Sequence, residues 1–475
     1  MAIISAILCL PLGEKAARRV TLACHSSLLF LVLILLRYTL NLDAGFAFTM
    51  GHYEAPFGNE IFIGSREVLL ALLFIVVSLL AILGGREDLY RDLPRERLGF
   101  YYLTQNLMTG SLLAIIYSND IFTSFVFIDI VAIAACILVV IKPGGRNLAA
   151  ATTYLIMSLI GSSLLLFAIA ILYGITGHLL LPQLQESILS LVATGEYTLP
   201  LFVLAALLTT GLAIKSALFP FHSWLPNVYT SATTSAVTVL SGLISKSYLI
   251  LLIAFSSRLF TPEVLELLGL PDLLLLLGLG GILFGSLRAM KTPDLKSMLA
   301  YASISQIGFI VAAMALNNAD GFAAALFHIL VHALTKAMLF VAAGGLAAVS
   351  DQQTSLSSLR GAAYRDPISG GAFLLGSLSL IGIPPFPGFF SKLYATQAAL
   401  NSPRGLLFII VAIGGGTILS AIYYLPAVFS LFAPVAEEGA CRRALSPWRS
   451  TALYAFMALI LIVSLLAGSV RGILG

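Results

Sequence analysis

An aspartate and four lysines lie inside apolar segments, where an uncompensated charge is unstable. Asp129 is the only charged residue of its apolar run, and Lys215, Lys246, Lys336 and Lys392 occupy comparable segments. Each such group costs at least ~2.5–3.5 kcal/mol at bilayer depth on insertion scales, so its presence requires a reason. Carboxylates and amines are groups that take up and release protons. Proton transfer is therefore the chemistry that these residue types favour.

Two histidines and a lysine recur along one predicted helix. His328, His332 and Lys336 stand at positions i, i+4 and i+8, which places them in a single stripe. Three interpretations stay open: a metal site, a static hydrogen-bonded pair and a proton relay. No further Cys, Asp or Glu ligand stands nearby in the sequence, which disfavours metal. Histidine titrates near neutral pH, which favours the relay.

Prolines interrupt two of the lysine-bearing segments. Pro220 follows Lys215 by five residues, and Lys392 follows a segment with three prolines, Pro384, Pro385 and Pro387. Proline has no N–H donor, so carbonyls near it are freed to bind water or a cation. Paired interruptions of this kind point to an inverted repeat with transport sites at the breaks. For Lys215, snorkelling to the membrane interface is the alternative interpretation.

The carboxylate offers a means of controlling the first lysine. An ordinary lysine has a pKa of about 10.4, yet proton transfer requires it to lose its proton near neutral pH. A carboxylate about 6 Å away favours the charged amine by about 3 kcal/mol at an effective dielectric of about 20. Near Lys215, Asp129 keeps the amine charged; moving away, it lets the proton pass toward Lys246. The alternative is a buried carboxylate that only pins a neighbouring helix.

The composition places these charges in a membrane protein. Of the 475 residues, 59% are hydrophobic and only 10% are charged, unlike a soluble globular protein. Apolar runs near the ~20 residues that cross a bilayer recur along the chain. Such segments are helical because a helix satisfies its own backbone groups. The net charge of +4 is modest and comes from loops, so nucleic acid is not an expected partner.

The cysteines indicate no cofactor. Cys9, Cys24, Cys136 and Cys441 lie far apart without a CxxC pair. Neither an iron–sulfur cluster nor a structural zinc is predicted from this spacing. We therefore expect no bound redox cofactor or metal in this chain.

The apolar runs predict a single all-α membrane domain, 1–475, of about fourteen transmembrane helices. The expected helices span 1–13, 20–38, 64–84, 98–117, 119–142, 147–172, 198–218, 228–256, 270–289, 297–316, 321–347, 367–396, 405–433 and 450–470.

The loops between these helices differ in charge, as the positive-inside rule requires. Seventeen of the 26 Lys and Arg residues fall in alternate loops. Only five fall in the others, namely Arg37, Arg66, Arg258, Arg404 and Arg471. The basic loops are predicted to be cytoplasmic, with both termini on the other side of the inner (plasma) membrane.

An ordered set of motifs gives the chain a resemblance to a known family. The motifs are 119–122 (NDIF), 125–129 (FVFID), 220–226 (PFHSWLP), 240–242 (LSG) with Lys246, 294–308 (DLKSMLAYASISQIG), 332–337 (HALTKA) and 382–385 (GIPP). The set resembles the antiporter-like subunits shared by respiratory complex I, Mrp-type cation/proton antiporters and membrane-bound hydrogenases. The likeness covers most of the chain, and the ordered set is far more specific than any single motif.

The resemblance implies a fourteen-helix fold with two inverted five-helix repeats and with helices seven and twelve broken. It divides the chain into peripheral helices (1–97), a first repeat (98–256), a second repeat (270–433) and a last helix (450–470). It also implies site roles: Asp129 and Lys215 as the carboxylate–lysine pair, Lys246 as the connecting lysine, His328 and His332 as central relay groups, and Lys392 as the distal lysine.

Three departures from the family pattern stand out. Asp129 replaces the usual glutamate and has a shorter reach toward Lys215. Thr233 and Ser235 replace prolines common after the Trp–Leu–Pro motif. The final position is Lys392, and no long C-terminal lateral helix follows. The chain therefore looks most like the D-type subunits of Mrp antiporters, the N-type subunits of complex I or the hydrogenase type.

These features predict a proton-translocating subunit of a larger membrane complex. Its expected partners are other membrane subunits, the lipid bilayer and protons, with sodium left open. Any enzyme activity, as in an NADH-quinone oxidoreductase or a hydrogenase, belongs to the assembly. Two alternatives stay open: a structural subunit whose charges only join helices, and a standalone secondary transporter.

Overall fold

The computed structural model describes residues 1–42, 45–53, 59–195, 198–434 and 446–475. Cys441, Arg442 and Arg443, which entered the sequence predictions, lie outside these residues.

Helices make up most of the described chain, which is an all-α polytopic membrane protein. Eleven of the described helices are long and apolar enough to cross a membrane. They are Glu14–Thr39, Ser65–Gly84, Ile121–Val140, Gly145–Thr176, Thr198–Ser216, Thr234–Leu259, Leu270–Lys291, Leu295–Met314, Ala319–Ala348, Gly405–Leu431 and Pro447–Leu465.

Further elements, most of them shorter, connect or flank these spans. The further helices are Ala2–Cys9, Arg86–Asp92, Arg95–Tyr117, Leu181–Thr194, Leu225–Ser231, Pro262–Leu267, Ala362–Arg365, Pro367–Ile381, Pro387–Leu400 and Ala467–Leu474, with a 3-10 turn at Met50–His52. Two strands, Phe46–Thr49 and Glu60–Ile63, pair antiparallel with Phe46 opposite Ile63. Sequence patterns missed this hairpin because its strands are only four residues long.

Several predicted boundaries are corrected by the structure. The helix expected over 20–38 begins at Glu14, so the basic residues that follow Glu14 lie in helical turns and not in a loop. The helix expected over 228–256 is two helices, since Thr233 accepts a hydrogen bond from the Ala236 N–H and caps a new start at Thr234. Hydropathy does not register such a break because both sides of it are apolar.

Side-chain caps fix the start of two spans that bear on the site. Asp120 accepts a hydrogen bond from the Thr123 N–H at 2.6 Å, and Asp294 accepts one from the Ser297 N–H at 2.8 Å. Each cap satisfies an otherwise unpaired N–H of the first helical turn. Each aspartate also forms an isolated β-bridge to a following loop, with Leu180 and Ser355 respectively.

The core is built around two helices that neighbours enclose completely. The apolar stretches of Thr234–Leu259 and Ala319–Ala348 are 100% buried, whereas that of Glu14–Thr39 is only 22% buried. A membrane helix with apolar residues all round and no exposed face is an interior helix. The lysines and histidines on these two helices are 0% exposed and therefore face protein and not lipid.

Close packing between two neighbouring spans depends on glycine. A Cβ at Gly308 would lie 2.4 Å from the Gly278 carbonyl oxygen and 2.8 Å from the Ile282 nitrogen. Small residues at such crossings let helix backbones approach. We expect Gly308→Ala to lower the stability of the purified protein by about 1–3 kcal/mol, the range for overpacking.

Thermal denaturation in detergent measures this effect. Gly174→Ala is the matched control, because nothing lies within 4 Å of a Cβ at that position. Equal melting temperatures for the two variants would contradict the packing argument.

Candidate functional site

Asp129 and Lys215 form an ion pair between neighbouring helices. The Lys215 Nζ lies 3.4 Å from Asp129 Oδ1 and donates a hydrogen bond to Ser158 Oγ at 3.0 Å. The Ser162 hydroxyl donates to Asp129 Oδ1. The lysine side chain is 0% exposed and the aspartate side chain 36% exposed. The pair thus joins an enclosed amine to a carboxylate at the surface of this chain.

The helix that carries this lysine ends directly after it. Helix Thr198–Ser216 stops before Pro220, and the Trp224 indole donates a hydrogen bond to the Ile214 carbonyl at 3.2 Å. The break therefore begins earlier than the proline where sequence placed it. The carbonyl that gains a side-chain donor at this break is that of Ile214.

Lys246 lies in the enclosed helix Thr234–Leu259. It is fully buried and follows a π-helical segment, Leu240–Ile244. Its ammonium donates a hydrogen bond to the Ser241 carbonyl. Wider π turns occur often at functional positions of helices. In the described part of the chain no carboxylate lies within ion-pair distance of Lys246, so a backbone carbonyl is its bonded acceptor.

The two histidines of helix Ala319–Ala348 have different surroundings. His328 Nδ1 lies 2.9 Å from Ser391 Oγ, and its Nε2 lies 2.9 Å from Gln306 Oε1. Both ring nitrogens of His332 are buried without a hydrogen-bond partner among the described residues. The ring centroids are 6.1 Å apart. Buried polar atoms are nearly always paired, with water where protein offers no partner.

Lys336 completes the predicted stripe one turn further along the same helix. It is fully buried, and its Nζ donates hydrogen bonds to the Leu299 carbonyl at 2.8 Å and the Tyr424 hydroxyl at 3.2 Å. Neutral oxygens are thus the acceptors for this amine, as they are for Lys246.

Lys392 lies at the second helix break. Its Nζ donates to the Ile381 carbonyl at 2.7 Å and to Thr417 Oγ1 at 2.8 Å. Ile381 is the last residue of the first half-helix. The lysine therefore donates to a carbonyl that the helix break leaves without a backbone partner among the described residues, as the prolines predict. Gly382 has φ 93°, and a Cβ there would lie 2.9 Å from Lys392 Cδ. Glycine thereby makes room for the lysine stem.

The central groups are neighbours in space. Lys246 and Lys336 both lie within electrostatic range of His332, and Lys246 and Lys392 lie within range of His328. Three lysines, one of them on the histidines' own helix, thus lie near one histidine pair in the protein interior.

The ion pair connects to this centre less directly. Lys215 Nζ lies 5.7 Å from the centroid of the Tyr248 ring, and Tyr248 is two residues from Lys246 on the same helix. Among the described residues no hydrogen bond joins Lys215 to Lys246. The titratable groups form a row of neighbours and not an unbroken hydrogen-bonded chain.

Sequence reasoning missed the neutral residues that hold these groups. They are Ser158, Ser162, Gln306, Ser391 and Thr417. Their signal in sequence is weak, because small polar residues in apolar spans also serve helix packing. Only the spacing of Ser158 and Ser162, at i and i+4 on one helix, is a pattern that could have been detected in the sequence.

The broken helices, and the ionisable side chains enclosed by other helices, define a polytopic membrane protein with charged groups buried in its interior. The family described as "NADH:quinone oxidoreductase/Mrp antiporter, TM" matches residues 118–420. That range includes all seven site residues, and the chain belongs to this family.

Named relatives agree with this assignment. The chain is 32% identical over 385 residues to NADH-quinone oxidoreductase subunit N of Desulforudis audaxviator, covering 78% of this chain and 72% of the relative. It is 30% identical to NADH-quinone oxidoreductase subunit 14 of Thermus thermophilus, covering 94% and 92%. It is 28% identical to the D-type Na(+)/H(+) antiporter subunit of Alkalihalophilus pseudofirmus, covering 78% and 73%.

Two solved structures share the fold along the whole chain. One belongs to a membrane-bound sulfane sulfur reductase, an archaeal respiratory membrane complex, with a TM-score of 0.89 and 25% identity. The other belongs to the Mrp complex of Dietzia sp. DQ12-45-1b, with a TM-score of 0.89 and 21% identity. Each match covers 100% of this chain and 94% of the other.

Proposed function

We propose that this chain is a proton-translocating, antiporter-like subunit of a multi-subunit membrane complex. Its relatives carry the names of subunits of NADH-quinone oxidoreductases and of a Na(+)/H(+) antiporter, and the two similar structures are of membrane complexes. Other membrane subunits are accordingly its partners, together with lipid and protons. Sodium transport is an alternative that these residues do not favour, since among the described residues only Asp129 offers one of these lysines a negative charge.

One observation carries the proposal. The two helices that neighbours enclose completely, Thr234–Leu259 and Ala319–Ala348, hold Lys246, His328, His332 and Lys336. Burying amines and imidazoles in the most enclosed helices lowers stability, so their presence there indicates a functional use. Proton transfer between neighbouring bases is the use that fits lysine and histidine together.

The order of groups suggests a path along the long axis of the protein. It runs from Asp129 and Lys215 through Lys246 to His332 and His328, and on to Lys392, with Lys336 beside His332. The broken helices at Pro220 and at Pro384–Pro387 admit water to the two outer lysines. Water also bonds the His332 nitrogens and completes the contacts that side chains leave open.

For the fold, we propose fourteen spans with two inverted five-helix repeats, in regions 98–256 and 270–433, preceded by peripheral helices in 1–97 and followed by a last helix in 450–470. Corresponding features support the repeat. Asp120 and Asp294 cap matching spans and each bridges to a loop, and π-helical segments lie in Thr234–Leu259 and Gly405–Leu431. Helices seven and twelve are then the broken pair.

The proposed setting is the inner (plasma) membrane, with the Lys/Arg-rich loops cytoplasmic and both termini on the opposite side. The enzyme or exchange reaction that drives or uses proton flow belongs to partner subunits.

Lys215→Met tests the function. In the assembled complex reconstituted into vesicles, we expect proton transport to fall by about 10²-fold, the lower end of the range for loss of a proton-transfer group. Lys291→Met is the matched control, because Lys291 is exposed at the end of its helix. Normal assembly with unchanged transport in Lys215→Met would favour a structural subunit. Solute uptake by the purified chain without partners would favour a standalone transporter.

A further inference from the structure

A buried ion pair outside the proposed path lies at the membrane face opposite the basic loops. Glu67 lies in the first turn of the helix Ser65–Gly84, and its side chain is only 7% exposed. Arg258 donates a hydrogen bond to Glu67 Oε1, and Arg66 lies 3.2 Å from the same oxygen. The Arg258 guanidinium also stacks on the Phe62 ring, 4.9 Å from its centroid. These contacts join the start of the helix Ser65–Gly84 to the end of the helix Thr234–Leu259 at this face.

Arg258 lines three cavities, and Glu67 lines two of them. Two of them, of about 480 and 230 Å³, lie at the outer surface, and Arg258 lines both. The third is a small cavity of about 30 Å³ on the inner side, lined by Arg258 and Glu67 together with Ser118, Ser124 and Ser257. A cavity of this size, with charged and hydroxyl side chains among its lining residues, has room for a water molecule. The ion pair therefore separates outer pockets from an inner one.

The inner cavity points toward the central groups. Its apolar wall includes Ile250 and Leu326. Ile250 is one helical turn from Lys246, about 6 Å along the axis, and Leu326 is two residues from His328. The residues that line the cavity thus leave one helical turn between it and Lys246. The side chains of that turn, 247–249, are buried.

Two features allow the pair to separate. Arg258 lies in a second π-helical segment, Phe255–Leu259, whose looser backbone suits a side chain that changes position. Arg258 already lines the outer pockets, so its guanidinium has space to move into. The buried Tyr117 hydroxyl lies within electrostatic range of Glu67 and has no hydrogen-bond partner among the described residues. It is a ready donor for a carboxylate that loses its arginine.

We propose that the Glu67–Arg258 pair is a gate that controls water and proton access between the opposite face and Lys246. When closed, the ion pair and the apolar residues beneath it keep the inner cavity separate from the outer pockets. When Arg258 moves outward, the three cavities join and water reaches the turn of helix next to Lys246. The proton role of this gate rests on the proposed function, whereas its control of water access does not.

Thiol labelling tests the gate directly in the assembled complex. Ile253→Cys, which lines the inner cavity, is introduced after the native cysteines are replaced by alanine, and a membrane-impermeant thiol reagent is added at the opposite face. We expect Glu67→Gln to raise the labelling rate by about tenfold or more, because the open state gains population when the pair is lost. Arg258→Met is a second variant with the same expected result.

A second ion pair at the same face supplies the matched control. Glu266 pairs with Arg404 at 2.7 Å but its side chain is 46% exposed and lines none of these three cavities. Glu266→Gln is expected to leave the labelling rate unchanged. Unchanged labelling in both Glu67→Gln and Arg258→Met would overturn the gate.

Passive proton flux into vesicles separates the gate from the proposed function. Glu67→Gln is expected to raise the flux, and adding Lys246→Met is expected to remove the increase. Increased labelling without increased proton flux would retain the gate as a water entrance and contradict proton conduction through Lys246.

Discussion

Replacing Lys246 with methionine is expected to reduce proton transport by the assembled complex by about 10²-fold or more. In the proposed path Lys246 lies between the ion pair and the histidines, and among the described residues a single carbonyl accepts a hydrogen bond from its amine. Methionine has nearly the same length and no titratable group, so it interrupts proton transfer while preserving packing. Proton uptake into vesicles under the complex's own driving reaction measures the effect.

The stability of this variant distinguishes lost function from lost structure. Removing a buried amine that has no ion-pair partner relieves desolvation, so Lys246→Met is expected to melt at the same temperature as the parent or above it. Ser247→Ala, which changes the next buried residue on the same helix, is the control for local disturbance. A stable Lys246→Met complex with unchanged transport would remove Lys246 from the path.

Asp129→Asn is the second change with a large expected effect. It keeps the shape of the side chain but leaves the Lys215 ammonium, which is 0% exposed, without its counter-charge. Removing one partner of an ion pair leaves the other charge buried without a counter-charge, which strongly disfavours the charged form of that group. We expect Lys215 to hold its proton less well and transport to fall by at least about tenfold.

Asp129→Glu is the informative partner variant. Members of the resembled family usually carry glutamate here, and the added methylene extends the reach toward Lys215. We expect Asp129→Glu to retain transport, and Asp351→Asn at an exposed position to have no effect. In the double variant with Lys215→Met, Asp129→Asn is expected to add little further loss, because the two groups act as a pair. Full additivity would contradict their coupling.

Membrane character and the identity of the titratable groups were readable from the sequence alone. A 20-residue apolar run has few alternatives to a transmembrane helix, and the charge of Asp129 or Lys246 is conspicuous within it. The prolines indicated both helix breaks, because the loss of a backbone N–H at proline is a local property of the chain. The order of motifs was enough to indicate the family.

Tertiary structure decided which groups meet and what holds them. Ser158, Ser162, Gln306 and Ser391 look like ordinary small or polar residues until separate helices bring them to Lys215, Asp129 and His328.

The pairing of Glu67 with Arg258, 191 positions later, was equally invisible in sequence. Periodicity reports which face of a helix is apolar but not which helix will cover it. Contacts between distant segments follow from how all the helices pack together, and that information resides in no single stretch of residues.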